Sequence, residues 1–339
     1  MDYKDVVTES SSELLLEELE RTKWKRYWKT IKVDWALYVM ILPIIIFFFL
    51  IRYLPIGGIL VAFKNYIPSI GVQGSDFQGF RYFQILLFNE LQSAEFWRAF
   101  RNTFSLSLYE MIFGFPIPII LALFFSEIKS DLYRSITQIL SYLPKFISSV
   151  VITTLIWMML FGGSANSSPG VLASLFMNLG LIPEGTQMMI TAKYFRSIYV
   201  VSGIWEGAGY GSIVYFAAIM GISPTNYEAA RMDGANKLAQ IRYVTLPGIS
   251  ATLTIMLILR IGQILTIGFE KVLLLYNTST YETGDVISTY VIRIGGLLAA
   301  ANTNIALGAA ADLFNAFISM ALVLGANFIS RRVSETSLF

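Results

Sequence analysis

Long apolar runs that carry almost no charge constrain this chain more than any other feature. The run 35–51 contains no Asp, Glu, Lys or Arg and is bounded by Asp34 and Arg52. A bilayer core about 30 Å thick is crossed by about 20 mostly apolar residues in an α-helix. Comparable runs are 35–51, 111–126, 146–161, 197–220, 243–269 and 313–330. We therefore predict an all-α integral membrane protein with six transmembrane helices.

Composition supports this prediction and narrows the chemistry. Only 14% of the residues are charged and the mean hydropathy is +0.61, whereas soluble domains carry about 25% charged residues. The chain contains no cysteine and no histidine, which excludes disulfides, thiolate nucleophiles, histidine acid–base catalysis and Cys/His metal sites. We expect no catalytic residue and no metal site. A net charge of +2 gives no support for nucleic-acid binding.

The distribution of Lys and Arg predicts the orientation. The segment 21–32 is rich in both, and further basic residues follow the second, fourth and sixth runs. Cytoplasmic loops carry the excess of basic residues, so we expect both termini in the cytoplasm. Residues 1–34 then form a cytoplasmic N-terminal segment and 331–339 a cytoplasmic tail. Residues 1–5 resemble the start of an epitope tag.

The polar segment 222–247, between the fourth and fifth runs, has the pattern of a folded loop. Pro224 suits the first turn of a helix, and good helix formers follow it. Gly234 would end that helix, and Ala235 would begin a second. Leu246-Pro247 marks the return of the chain to the bilayer. We predict a short helix–turn–helix on the cytoplasmic face that binds another protein.

Three short motifs in this segment resemble the EAA motif of ABC importer permeases: Glu228-Ala229-Ala230, Asp233-Gly234-Ala235 and Leu246-Pro247. The resemblance implies that the first helix docks on a cytoplasmic ATPase, with Glu228 as its anchoring charge. Val244 stands where the family usually has Ile. The residues that the resemblance assigns to ATPase coupling are Glu228, Ala229, Ala230, Asp233, Gly234, Ala235, Leu246 and Pro247.

Two further stretches are similar to the polysaccharide and oligosaccharide branch of that family. They are YLPIG followed by AFKNY, at 53–57 and 62–66, and the C-terminal RRVSETSLF. The resemblance implies a type I ABC importer permease fold in a bacterial cell membrane, in a Gram-positive organism. The implied partners are a second related permease, two cytoplasmic ATPase subunits, an extracellular sugar-binding lipoprotein and membrane lipid. Because the chain has no G-x-x-x-x-G-K-[ST] phosphate loop, we expect no cofactor in it, and ATP and Mg would bind the ATPase.

Polar side chains inside the runs are candidates for a substrate path, since such residues face a cavity or a partner more often than lipid. Glu206 and Tyr210 are four residues apart and share a helix face, with Trp205 beside them. Arg260 and Gln263 are three apart on the next run. Glu206 and Arg260 could instead pair and only hold the helices together. The predicted path residues are Trp205, Glu206, Tyr210, Arg260, Gln263, Ile264 and Ile267.

These patterns together predict a transport subunit that is not an enzyme. The first span and an extracellular loop would occupy 35–97, and the core permease domain 98–330. The chain would move a sugar, by family likeness an oligosaccharide, through alternating access driven by ATPase subunits. The alternatives are a membrane-embedded enzyme acting on lipid-linked sugar, through Glu110, Glu206 or Asp312, and a stand-alone secondary transporter. Neither alternative explains the docking segment.

Overall fold

The computed structural model describes residues 30–161, 169–296 and 304–333. Within these ranges the chain is helical, and the only strand-type pairing is an isolated bridge between Lys64 and Phe77. The all-α prediction is confirmed for this part of the chain. The tag-like residues 1–5, most of the N-terminal segment and the tail beyond 333 lie outside the described residues.

The chain divides into two compact units, one up to Leu60 and one from Val61 onward. In the first, the helix Trp35–Phe48 continues into a π-helix, Phe49–Tyr53. The helix Trp35–Phe48 buries none of its side chains, and a helix that is apolar on all sides suits a lipid environment. A 3₁₀ segment, Leu54–Phe63, continues the chain. The predicted domain boundary at 97/98 stays a prediction.

The second unit contains a 38-residue helical segment, 90–127. Asn89 begins it by accepting hydrogen bonds from the backbone N–H groups of Leu91 and Gln92, which satisfies two of the free amides at a helix start. A π-helix, Glu110–Gly114, interrupts the α-helical geometry before the helix Pro116–Glu127. Pro116 is tolerated there because it occupies the first turn of the new helix.

The remaining helices of the second unit follow in chain order. The α-helices are Gly71–Gly74, Arg81–Phe88, Glu90–Tyr109, Asp131–Tyr142, Ser149–Leu160, Val171–Asn178, Ala192–Met220, Pro224–Met232, Lys237–Gln240, Leu246–Gly248, Ser250–Gly262, Phe269–Leu275, Tyr281–Gly284, Ile287–Ile294 and Ile305–Val333. Shorter 3₁₀ and π segments are Leu143–Phe146, Met188–Ile190, Ile241–Thr245 and Thr278–Thr280.

Not all six predicted spans form continuous apolar helices. Among the described residues, three helical segments are long and apolar enough to cross a membrane: Trp35–Phe63, Glu90–Glu127 and Ile305–Ile329. Two bent pairs qualify as broken spans: Asp131–Phe146 with Ser149–Leu160, and Lys237–Gly248 with Ser250–Gly262. The helix Ala192–Met220 has 29 residues, but its glycines and Glu206 make it less apolar than these. Six spans and cytoplasmic termini stay predictions.

The helix Ala192–Met220, called the central helix below, packs closely against its neighbours. A Cβ added at Gly209 would lie 1.9 Å from the carbonyl oxygen of Ser141, so only glycine fits at this crossing. At Gly211 the added atom would lie 3.4 Å from Pro118. Small residues let membrane helices approach closely. These contacts hold the central helix against the helices Asp131–Tyr142 and Pro116–Glu127, which adjoin the segments that carry Lys145 and Glu110.

Candidate functional site

A cavity of about 620 Å³ opens beside the central helix. Charged side chains from five segments line it, although the segments are far apart in sequence. Their ion-pairing members are Glu110, Lys145, Glu206, Arg260 and Lys271. The cavity is thus a polar space between helices that are otherwise apolar.

Interruptions of regular helix bring these residues together. The chain bends by 96° between the 3₁₀ turn Leu143–Phe146 and the helix Ser149–Leu160, which places Lys145 at the cavity. The helix Ser250–Gly262 ends two residues after Arg260. Glu110 opens the π-helix Glu110–Gly114. Broken helices at membrane depth are tolerated where they line a cavity, and here each break presents a charged group to it.

Two groups of ion pairs join different segments of the cavity wall. Arg260 Nη2 donates to Glu110 Oε2 at 2.8 Å. Glu206 pairs with two ammonium groups, Lys271 Nζ at 3.1 Å and Lys145 Nζ at 3.5 Å. The side chains of Glu206 and Lys271 are 15% and 13% exposed, whereas that of Lys145 is 46% exposed. Lys145 is therefore the most accessible cation of the Glu206 group.

Glu206 and Arg260 do not pair with each other, the alternative that the sequence left open, because each residue has another partner. Glu110 pairs with Arg260 and Lys271 with Glu206, and no sequence spacing links either partner to the residue it binds. Glu110 follows the helix Glu90–Tyr109 within the 38-residue segment. Its position beside a long uncharged run was the available signal, since a carboxylate there requires a partner.

The predicted path residues divide into three groups. Glu206, Arg260 and Gln263 line the main cavity. Ile264 and Ile267 are buried and line a second cavity of about 180 Å³, which shares Glu110, Arg260 and Gln263 with the first. The third group consists of Trp205 and Tyr210.

Trp205 and Tyr210 line neither of the two described cavities. They are 52% and 47% exposed, and the Tyr210 ring meets Phe146 edge to face at 6.0 Å. Spacing on a helix places residues on one face but does not say how wide the cavity beside that face is. That these two rings contact substrate stays a prediction.

The cavity chemistry suits a polar ligand. Lys271 Nζ also lies 5.5 Å from the centre of the Tyr199 ring, a cation–π distance. The ammonium, guanidinium and carboxylate groups can donate to or accept from hydroxyl groups. Within the described residues, no group of three or more Asp or Glu side chains could hold a metal ion.

The segment 222–247, called the coupling segment below, forms the predicted short helices. The first is Pro224–Met232, and Gly234 follows it with φ +78°, a left-handed conformation that glycine adopts without strain. The second helix begins at Lys237 rather than at Ala235, because the side chain of Asn236 accepts from the amide of Ala239 and so caps it.

The side chains that the resemblance assigns to coupling are mostly exposed. Glu228, Ala229, Asp233, Gly234 and Pro247 are exposed, and Ala230, Ala235 and Leu246 are half-buried. Met232 and Leu238 beside them are 88% and 77% exposed. This surface combines exposed apolar side chains with the exposed carboxylates of Glu228 and Asp233, which is a composition suited to binding a protein.

Hydrogen bonds hold the coupling segment in shape. The hydroxyl groups of Tyr227 and Thr245 lie 3.1 Å apart, and Gln240 Nε2 donates to the carbonyl of Ala235 at 2.9 Å. Lys237 pairs with Glu127 at the end of the helix Pro116–Glu127. The segment is thus tied both to itself and to a helix that packs on the central helix.

A second charged cluster, outside the cavity, is buried more deeply. The Asp285 side chain is fully buried and accepts from Arg293 Nη2 at 2.7 Å and from Thr289 at 2.9 Å. Arg98 lies 3.7 Å away. Burial raises the pKa of the Asp285 carboxyl, and Arg293 opposes that shift. Sequence reasoning missed this cluster, because its members are spread over almost 200 residues.

Comparisons with known proteins identify a family and two relatives that match most of this chain. Residues 114–334 match the family described as binding-protein-dependent transport system inner membrane component. Protein LplB of Bacillus subtilis is 34% identical over 309 residues, covering 91% of this chain and 92% of that protein. The polygalacturonan/rhamnogalacturonan transport system permease protein YteP, also of Bacillus subtilis, is 35% identical over 303 residues, with 89% and 90% coverage.

Two solved structures are similar over nearly their whole length. One is a crystal structure of a bacterial ABC transporter involved in the import of the acidic polysaccharide alginate, at 42% identity and a TM-score of 0.78, covering 91% of this chain and 99% of that chain. The other is a bacterial alginate ABC transporter in complex with alginate pentasaccharide-bound periplasmic protein, at 41% identity and a TM-score of 0.78. With a family match over more than half of its length and two relatives above 30% identity along most of it, this chain belongs to the binding-protein-dependent transport system inner membrane component family.

Proposed function

We propose that this chain is the permease subunit of an ATP-driven importer and that it carries an acidic oligosaccharide through the cavity beside the central helix. The carrying observation is the cavity itself, a polar space between apolar helices that is lined by the cations Lys145, Arg260 and Lys271 and by the carboxylates Glu110, Glu206 and Glu270. The same chain exposes a coupling segment with the EAA pattern. One chain therefore holds both a place for a polar cargo and a surface for the ATPase.

The charge of the cargo is inferred from the Glu206 group. One carboxylate is shared by two ammonium groups, so a substrate carboxylate could pair with the second ammonium without displacing Glu206. Charge-assisted hydrogen bonds of this kind are stronger than neutral ones. YteP and the alginate transporters are named for acidic polysaccharides, which supports the same class of substrate here.

ATP-driven closure of two ATPase subunits would move the coupling segment, and the helices tied to it would open the cavity to alternate sides. We propose that ATP and Mg bind those partner subunits, that a second related permease completes the path and that an extracellular sugar-binding lipoprotein delivers the substrate. A neighbour solved with a periplasmic protein supports the delivery step. The relatives from Bacillus subtilis support a Gram-positive host.

The test compares uptake of an acidic and a neutral oligosaccharide by the whole importer in proteoliposomes. We expect ATP-dependent uptake of oligogalacturonate or oligoalginate, and about tenfold weaker uptake after Lys145→Met, because a lost charge-assisted contact is worth 1.5–3 kcal/mol. Lys193→Met is the matched control, since Lys193 is an exposed lysine of the central helix that does not line the cavity. Neutral-sugar uptake that exceeds acidic-sugar uptake in the parent would refute the acidic substrate. A complex with no ATP-dependent uptake of either sugar would refute the importer.

A further inference from the structure

The helix Ile305–Val333 carries an acidic residue with no partner in the described part of the chain. Asp312 is exposed, and none of the described hydrogen bonds or ion pairs includes it. It lies within the apolar stretch Ile305–Ile329 that is long enough to cross a membrane. At 1.5 Å per residue it is about 10 Å from the start of the helix, directly before the uncharged run 313–330.

Neither a lipid environment nor the cavity supplies a group that balances the charge of the Asp312 carboxylate. An acidic side chain facing hydrocarbon is strongly unfavourable, and such residues face a protein partner or a water-filled space. Asp312 lines neither of the two described cavities. The group that balances its charge must therefore come from a surface that packs on this helix.

The exposed face around Asp312 has the shape of a helix-packing surface. Exposed residues recur every four positions as one continuous ridge, which interlocks with grooves on a neighbouring helix. The ridge consists of Asp312, Ala316, Met320, Leu324 and Phe328. In the adjacent row, Ala321 and Gly325 are also exposed. Small residues four apart permit close contact between membrane helices, and none of the described residues lies within 4 Å of a Cβ added at Gly325.

The charge pattern decides what kind of partner fits. Residues 294–330 contain no Lys or Arg, and Arg331 is 19 positions beyond Asp312, about 28 Å along the helix. Two copies inserted in the same direction would present the same residues at the same depth. A second copy of this chain could therefore bring only another carboxylate to Asp312 through this face, and like charges repel.

We infer that the Asp312 ridge packs against a different membrane-spanning subunit, which presents a basic side chain at the depth of Asp312. This inference rests on the proposed function only in taking that subunit as the related permease of the importer. It assigns to Asp312 a role in choosing that subunit over a second copy.

The test uses the complete importer, reassembled in proteoliposomes after this subunit has been labelled alone in detergent, when the ridge is accessible. Because the chain has no cysteine, Ala316→Cys and Met320→Cys each give one site for benzophenone maleimide in this subunit. We expect both to form ultraviolet cross-links to a distinct membrane-spanning chain. Ala311→Cys is the control, since Ala311 is fully buried and should not be labelled. Cross-links to a second copy, to another segment of this chain or to lipid alone would overturn the inference.

Charge variants give a second, independent measurement. We expect Asp312→Lys to reduce co-purification of the partner subunit at least about tenfold, since truncating or reversing one member of a buried charge pair is costly, while Asp312→Glu retains it. Unchanged co-purification of Asp312→Lys would contradict the charge pairing. If Asp312→Lys fails to insert into the membrane, the cross-links from Ala316→Cys and Met320→Cys still test whether the ridge contacts a different subunit. ATP-dependent uptake by the parent complex tests the importer function separately.

Discussion

The coupling segment and the cavity are both polar interruptions of an apolar chain, but they are built in opposite ways. The coupling segment is one continuous stretch, and its side chains are mostly exposed and contact each other at short sequence separation. The cavity takes its charges from residues 110 to 271, and its ion pairs join positions 61 to 150 residues apart. A motif formed by one continuous segment can be recognised by its residue spacing. A site formed by residues far apart in sequence has no such spacing.

The two regions also use charge differently. Glu228 is exposed and takes part in none of the described ion pairs, so its carboxylate is available to another protein. The cavity charges are already paired within the chain, so a ligand must compete with or supplement those pairs. We therefore expect loss of the Glu228 carboxylate to impair transport of every substrate and substitutions in the cavity to change its selectivity.

The largest expected effect is that of Glu228→Ala. The loss of one charge at the centre of a docking surface can cost 2 kcal/mol or more, so we expect uptake to fall tenfold or more and the ATPase to lose stimulation by loaded binding protein. Folding should be unaffected, because the side chain is exposed. ATPase activity and uptake are measured on the purified complex, with Asn226→Ala on the same helix as control. Normal stimulation of the ATPase by loaded binding protein in Glu228→Ala would contradict the coupling role of Glu228 and with it the contrast between the coupling segment and the cavity.

An intermediate effect is expected from Glu206→Gln. The change leaves the ammonium groups of Lys145 and Lys271 without their shared carboxylate, so an acidic sugar should bind more tightly. We expect the apparent KM for the acidic sugar to fall about threefold and that for a neutral sugar to stay constant. Uptake is measured against sugar concentration in proteoliposomes, and Glu184→Gln, an exposed position, is the control. A lower melting temperature with an unchanged KM would assign Glu206 to helix packing alone.

The smallest effect is expected where the coupling segment is tied to the transmembrane helices. Lys237 and Glu127 are 61% and 45% exposed, and exposed ion pairs contribute about 0–1 kcal/mol. We expect Lys237→Met to change uptake less than about twofold and to lower the melting temperature only slightly. The thermal unfolding of the double variant Lys237→Met/Glu127→Gln completes the cycle. A tenfold loss of uptake would instead make this ion pair a transmitting contact.

Several features of the fold and site followed from the sequence because their physical causes are local. Apolar runs such as 35–51 require a lipid environment whatever surrounds them. Pro224 and Gly234 specify a helix start and a left-handed turn through their own backbone chemistry, and the structure has both. The start of the second short helix was wrong by two residues, since Asn236 begins it through a local capping hydrogen bond from the amide of Ala239.

The partners of the intramembrane charges could not be predicted in the same way. Glu206 and Arg260 were singled out correctly as residues of the cavity wall, because a charge in an apolar run is visible in sequence. Their partners Lys271 and Glu110 were not linked to them, since long-range pairing depends on where the helices bend. The 96° bend that places Lys145 beside Glu206 has no local signature that fixes its direction.

The sequence by itself determined that this chain belongs in a membrane, has no cysteine or histidine chemistry and presents a docking motif, since composition and short spacing act through local physics. Only the tertiary structure decided which charges meet, that Trp205 and Tyr210 line neither of the described cavities and that Asp312 has no partner among the described residues. The physical reason is that a buried charge is defined by its neighbours in space. Those neighbours are chosen by helix breaks and glycine contacts, such as Gly209 against Ser141, which act between distant parts of the chain.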